Sequence, residues 1–337
     1  MIERLRLGVL GVGRIGSMHA DLLATRVDGA TVVGVFDVAA DAAERVAESV
    51  GTKVFASADE LLAADDIDAV AIATSTDTHN ELLVAAAEAG KHIFCEKPIS
   101  LDLAAVDRAI AAVEQAGVAL QVGFNRRFDA GHAAVRAAVV DGTIGELRQV
   151  RITSRDPAPP PRSYIAVSGG IFCDMTIHDF DMARFITGSE VVEVYAQGAV
   201  RVDPEIGEAG DLDTVVVVLT HDDGTITMID NCREAVYGYD QRVEAFGSCG
   251  VATSENQLDH YAVTRTAEGG RLANVPYFFL DRYVPSYVAQ WEAFVDAVVV
   301  GLPTPVTGAD GRAPLVMGLA AQISVAERRP VRLSELD

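Results

Sequence analysis

Residues 5–16 read LRLGVLGVGRIG, and the fold turns on how this run is read. Residues 5–10 are a short apolar run that stops at GVGRIG, and a helical pattern follows from about Ile15 to Thr25. Gly11, Gly13 and Gly16 supply the GxGxxG spacing. Gly11 permits the tight turn, Gly13 lets a pyrophosphate approach the backbone, and Gly16 lets helix and strand pack closely. The helix N-terminus then offers its N–H groups to the phosphates. Arg14 and Ile15 lie inside the same loop and are counted with its cofactor contacts. The spacing alone is weak. An apolar run before it, a helix after it and an acid closing the next apolar run place it in a dinucleotide-binding unit.

That acid is Asp37, at the end of TVVGVFD (31–37). A carboxylate there accepts hydrogen bonds from the adenine-ribose hydroxyls and repels a 2′-phosphate. The three residues that follow, VAA, bring no Arg, so NAD is expected over NADP. Further out, DAVAIATST (68–76), KHIFCEKP (91–98) and VALQVGF (118–124) carry strands that are apolar throughout. Helical patterns separate them and stop at Gly51, Gly90 and Gly117. Such alternation implies a parallel sheet covered on both faces.

After Phe124 the rhythm changes. One helix, about 130–141, precedes LRQVRITSRD, VVEVYAQGAV, DTVVVVLTHDDGTITMID, QRVEAFGSCGVATSE and YAVTRTAE, which read as strands joined by hairpin turns at DDG and GSCG. DPAPPPRS (156–163) is a stiff loop. Helix returns at about 286–299 and 309–327. The expected fold class is α/β: an N-terminal Rossmann domain over 1–123, then a C-terminal α/β domain over 124–337 with a large, mainly antiparallel open sheet.

At 337 residues, two domains are the better expectation. A formal net charge of -22 argues against nucleic acid and anionic membrane surfaces as partners. No apolar run is long enough to span a bilayer, and the N-terminal run leads into a glycine loop rather than a cleavage site, so a cytoplasmic location is expected. The four cysteines are scattered without metal-ligand spacing, which fits reduced thiols.

Lysine is scarce: Lys53, Lys91 and Lys97 are the whole set. Lys97 stands directly after the strand HIFC, in EKP, where strand ends face the ligand crevice of a doubly wound sheet. Glu96 can hold its ammonium. Ser75 and Thr76 end another strand at the same edge, and His79 follows them, near the cofactor or starting a helix. In the second half, GGIFCDMTIHDFD (169–181) sets Asp174 and His178 at i, i+4, with Asp179 and Asp181 next. The run could be a proton-transfer pair, a metal site or a polar helix face.

GVGRIG, CEKP, GFNRRFD and GGIFCDMTIHDFD, in this order, resemble the oxidoreductase family that includes glucose–fructose oxidoreductase and inositol 2-dehydrogenase. The likeness covers nearly the whole chain, and SYIAVSGGIFCDMTIHDFDMARF looks closest to the bacterial myo-inositol 2-dehydrogenases. The resemblance implies NAD, a polyol substrate held between the domains, and an open sheet that supports homo-oligomers, dimers or tetramers. It implies Lys97, Asp174 and His178 as the catalytic set, which also binds substrate with Arg127, Asp156 and Tyr237. Asn125 departs from many relatives.

Residues 173–186 carry a helical pattern, which would put Asp174 and His178 on one face. Gly169 and Gly170 would let the backbone pass close to a ligand. His178 is expected as the general base, because imidazole titrates near working pH. Asp174 would bind substrate or orient His178, and Lys97 would stabilise the developing alkoxide. No metal is expected, since hydride transfer to NAD needs none.

Overall fold

Apolar strands feeding helices build the first half of the chain, and glycine and aspartate stop or cap those helices. In the computed structural model, which describes residues 4–165 and 167–336, the elements run β1 (Leu5–Leu10), α1 (Arg14–Thr25), β2 (Ala30–Phe36), α2 (Ala40–Val50), β3 (Lys53–Val54) and α3 (Ala58–Leu62). They continue as β4 (Ala69–Ile72), α4 (Thr76–Glu88), β5 (His92–Cys95), α5 (Leu103–Ala116) and β6 (Leu120–Val122). Asp102 caps α5 by accepting from the Ala105 N–H, and Gly117 ends that helix in the left-handed conformation. The six strands are parallel in the order β3-β2-β1-β4-β5-β6. The chain reverses direction across the sheet between β1 and β4, and the carboxyl ends of strands at such a point face a ligand crevice. Leu7, Val9, Val70, Ala71 and Ile93 are fully buried, which is why these strands are apolar on both faces.

The second half opens with α6 (Ala130–Val140), β7 (Leu147–Arg155), α7 (Arg162–Ile165), α8 (Gly170–Asp174) and α9 (Ile177–Thr187). It continues through β8 (Val191–Ala199), α10 (Pro204–Glu208), β9 (Thr214–His221), β10 (Ile226–Cys232), β11 (Asp240–Gly247), β12 (Val251–Ser254), β13 (Thr264–Thr266) and β14 (Gly269–Arg271). The chain closes with α11 (Phe279–Val300), α12 (Gly308–Glu327) and β15 (Val331–Arg332). A seven-stranded sheet has the order β12-β11-β7-β10-β9-β8-β15, antiparallel except for the β7–β10 pair. The hairpins expected at DDG and GSCG join β9 to β10 and β11 to β12.

The chain divides into two compact units, one of residues 1–125 and 285–315, the other of residues 126–284 and 316–337. The expected contiguous second domain, 124–337, is corrected on this point. Its start lies close to the first crossing, but residues 285–315 belong to the first unit. The reason is packing: Trp291, Phe294 and Val295 enter the core formed by Leu7, Val9, Leu23 and Phe94. No described helix is long and apolar enough to cross a membrane.

Candidate functional site

In the first unit, a Cβ at Gly11 would lie 2.7 Å from the backbone of Thr74, and Gly11 has φ +82°. A Cβ at Gly16 would lie 1.9 Å from the Gly11 carbonyl oxygen, whereas one at Gly13 would meet nothing within 4 Å. Gly11 and Gly16 therefore close the loop, and Gly13 leaves its outer side open at the start of α1. Exposed Arg14 and half-buried Ile15 begin that helix. Asp37 braces the loop: one carboxylate oxygen accepts from the Val12 N–H at 2.7 Å and the other from the Ala39 N–H at 2.8 Å.

The neighbouring strand ends carry the other expected cofactor residues. β4 ends at Ile72, earlier than the run to Thr76 that its composition predicts; Ser75 is the residue before α4, and Thr76 is that helix's first. The polar TST segment turns into helix once the apolar strand is spent. His79 is buried, and its ring nitrogens face the Pro98 carbonyl at 2.8 Å and the Thr74 carbonyl at 3.1 Å, so it ties two strand-end loops together. Lys97 is half-buried in the turn after β5. Glu96 turns back: its Oε2 accepts from the Lys97 backbone N–H at 3.3 Å and its Oε1 meets His19 Nε2 at 2.8 Å.

The second unit holds the Asp–His run. The single helix expected over 173–186 is broken: α8 ends at Asp174, Met175 and Thr176 intervene, and His178 lies in the first turn of α9. The Thr176 hydroxyl donates to Asn231 Oδ1 at 2.6 Å, and the Thr176 N–H reaches back to the Ile171 carbonyl at 2.9 Å, which draws the chain out of register. Half-buried Asp174 accepts from the Tyr164 hydroxyl at 2.8 Å and pairs with Arg233 at 3.2 Å. Arg233 is buried and also pairs with Asp211 at 3.3 Å. Gly170 has φ +77°, and a Cβ there would lie 2.8 Å from Asp211 Oδ1, which accepts from the Ile171 N–H. The close approach that Gly170 permits is thus that of Asp211. Sequence reasoning missed Tyr164, Asp211 and Arg233.

The remaining expected residues have mixed placements. Asp156 is half-buried beside this group. Burial and the Asp174 carboxylate push its carboxyl up to about 6, against the pull of Arg126 and Arg233. Arg127 is committed to a two-pronged pair with buried Asp181, 2.6 Å at its shortest, and its guanidinium stacks near Phe185. The pair anchors Arg127 on α9, the helix that also carries His178. The Tyr237 hydroxyl donates to Asp240 at 2.6 Å and accepts from Arg155 at 3.1 Å. Asp179 is fully buried between Arg126, Ser154 and Asn231, and burial raises its pKa. Asp179 and Asp181 are spent on arginines. Among the described residues no group of three or more His, Cys, Asp or Glu side chains could hold a metal ion.

Comparison with known proteins gives two family matches. The family described as "Oxidoreductase family, NAD-binding Rossmann fold" matches residues 5–124, and "GFO/IDH/MocA C-terminal domain" matches residues 132–253. The chain is 50% identical over 333 residues to a myo-inositol 2-dehydrogenase of Thermotoga maritima, covering 98% of this chain and 99% of that one. A crystal structure of a myo-inositol dehydrogenase from Corynebacterium glutamicum has a TM-score of 0.94 at 40% identity, covering 98% of this chain and 99% of that one. The myo-inositol dehydrogenase of Lactobacillus casei, solved with NAD(H) and myo-inositol, has a TM-score of 0.87 at 26% identity, covering 98% and 96%.

Proposed function

The chain belongs to the oxidoreductase family with an NAD-binding Rossmann fold and a GFO/IDH/MocA C-terminal domain, and from that premise we propose that it oxidises one ring hydroxyl of myo-inositol to the 2-ketone, with NAD as hydride acceptor. The observation that carries this reading is the nearly full-length likeness to the Thermotoga maritima myo-inositol 2-dehydrogenase. The first unit fits NAD: the side of Gly13 where a Cβ would stand is open, and Asp37 stands at the end of β2. When bound, NAD supplies the hydride acceptor.

The roles of the chain's own residues follow from their chemistry. Lys97 donates to the reacting hydroxyl oxygen and stabilises its developing negative charge. His178 takes the hydroxyl proton. Asp174, anchored by Arg233 and Tyr164, accepts hydrogen bonds from ring hydroxyls, and Asp156 and Tyr237 contribute further polar contacts to the polyol. The protein is a cytoplasmic homo-oligomer in this reading. Exposed Tyr195, Val216, Ile226 and Phe246 on the strands of the seven-stranded sheet support association, and four free cysteines suit a reducing compartment.

The test is NADH formation with myo-, scyllo- and D-chiro-inositol, D-glucose and D-xylose, each with NAD and with NADP. Turnover of myo-inositol with NAD is expected to lead the panel. Lys97→Met and His178→Ala are each expected to lower kcat by about 10²–10⁴-fold. Clear NAD binding without turnover of any polyol would overturn the reading.

A further inference from the structure

Behind Lys97 lies a buried chain of hydrogen bonds that the reaction as described does not use. His19 is completely enclosed, with Phe94, Tyr287 and Trp291 edge-on to its ring at centroid distances of 5.3, 5.6 and 5.5 Å. The Trp291 indole N–H donates to His19 Nδ1 at 2.9 Å. An indole nitrogen only donates, so Nδ1 must be the acceptor and the ring proton sits on Nε2. That Nε2–H points at Glu96 Oε1, 2.8 Å away. The other carboxylate oxygen, Oε2, accepts from the backbone N–H of Lys97. Gly123 makes room for this carboxylate, since a Cβ there would lie 3.0 Å from its atoms.

We propose that Trp291 and His19 are positioning residues for the reaction: they lock one His19 tautomer, which pins Glu96, which in turn fixes the peptide carrying Lys97. Each link has a direction. Trp291 gives a proton to a hydrogen bond that His19 can only accept, His19 passes a donor to Glu96, and Glu96 closes on the Lys97 amide. A carboxylate held at both oxygens cannot swing, so the turn that presents the lysine is set before substrate arrives. Trp291 lies on α11, within residues 285–315, the stretch that packs into the core of the first unit. The proposal rests on the assignment of Lys97 above.

The first measurement is kcat and the NAD dissociation constant of Lys97→Met, His19→Leu and His19→Gln. Leucine fills the site without a donor; glutamine can offer one N–H to Glu96. His19→Leu is expected to lose about tenfold in kcat with the NAD dissociation constant changed less than about threefold, and His19→Gln to recover most of the loss. An inactive Lys97→Met beside a fully active His19→Leu would overturn the inference alone. An active Lys97→Met would overturn the role of Lys97 and the inference with it. If His19→Leu does not fold, nitrogen-15 spectra of histidine-labelled protein decide the matter. They are expected to show His19 protonated at Nε2 in the native chain and a mixture of tautomers in Trp291→Phe, which keeps a ring and removes the donor. A proton on Nδ1 in the native chain would refute the lock.

Discussion

The region proposed to hold the cofactor, in the first unit, and the region proposed to hold the substrate, in the second, are built by different means. The cofactor half is made of backbone. Gly11 and Gly16 have no space for a Cβ, Gly13 has open space, and Asp37 holds the loop through main-chain N–H groups. The substrate half is made of charged side chains brought together from distant segments. Asp174 leans on Arg233, Arg233 also holds Asp211, and Asp179 leans on Arg126. The first arrangement tolerates changes of side chain but not of backbone volume. The second tolerates neither the loss of a charge nor a shift of its partner, because an unpaired buried charge is costly.

The largest expected effect comes from breaking the second arrangement at its centre. Arg233→Met removes the partner of both Asp174 and Asp211 and leaves two carboxylates facing an apolar stem. The expected loss is about 3–5 kcal/mol of stability, read from urea unfolding, and about 100-fold in kcat/KM for inositol. NAD affinity is expected to move less than about twofold, since Arg233 belongs to the other unit. A parallel collapse of NAD binding would show that the two halves are not separately built.

This difference also governs what could be read from the chain. The glycine loop, Asp37, the strand alternation and the change of texture after Phe124 are local patterns, and each has a mechanism that acts over a few residues. The stretch NCREAVYG gives no sign that Arg233 would be fully buried, because an arginine is ordinarily a surface residue and its partners lie 59 and 22 positions away. The apolar period over 173–186 stays helical in the sequence even though Thr176 breaks the helix, since the break follows from a hydrogen bond to Asn231, 55 positions on. The hydrogen bond between Trp291 and His19 spans 272 positions, beyond the reach of any local pattern. Asp174 and His178 could be singled out from their spacing and family likeness, but not the shell that holds Asp174.

A pair of alanine substitutions sharpens the comparison within the cofactor half. Gly16→Ala forces a methyl group against the Gly11 carbonyl, and the rigid loop cannot yield cheaply. It is expected to cost about 1–3 kcal/mol and to weaken NAD binding with it. Gly13→Ala meets no protein atom, so its Tm is expected to stay within about 2 °C of the native value while the KM for NAD rises about tenfold. Equal effects of the two on Tm would mean that Gly13 serves the fold rather than the cofactor.

The smallest expected effect concerns Asp156, and it asks whether the substrate half keeps its charge coupling without any ligand. Its carboxyl, ordinarily near 3.8, is held up to about 6 by burial first and by the Asp174 carboxylate second, with Arg126 and Arg233 opposing and Asp179 adding a little. The folded chain therefore binds this proton more tightly than the unfolded chain. Its contribution to stability is fully present below about pH 4 and is lost as pH rises through about 6. Asp156→Asn carries no such proton. The stability of the native chain relative to Asp156→Asn is expected to fall across that window and level off above it, which urea midpoints at a series of pH values measure. A difference that does not change with pH would mean that burial and the Asp174 carboxylate together do not hold the Asp156 proton against Arg126 and Arg233.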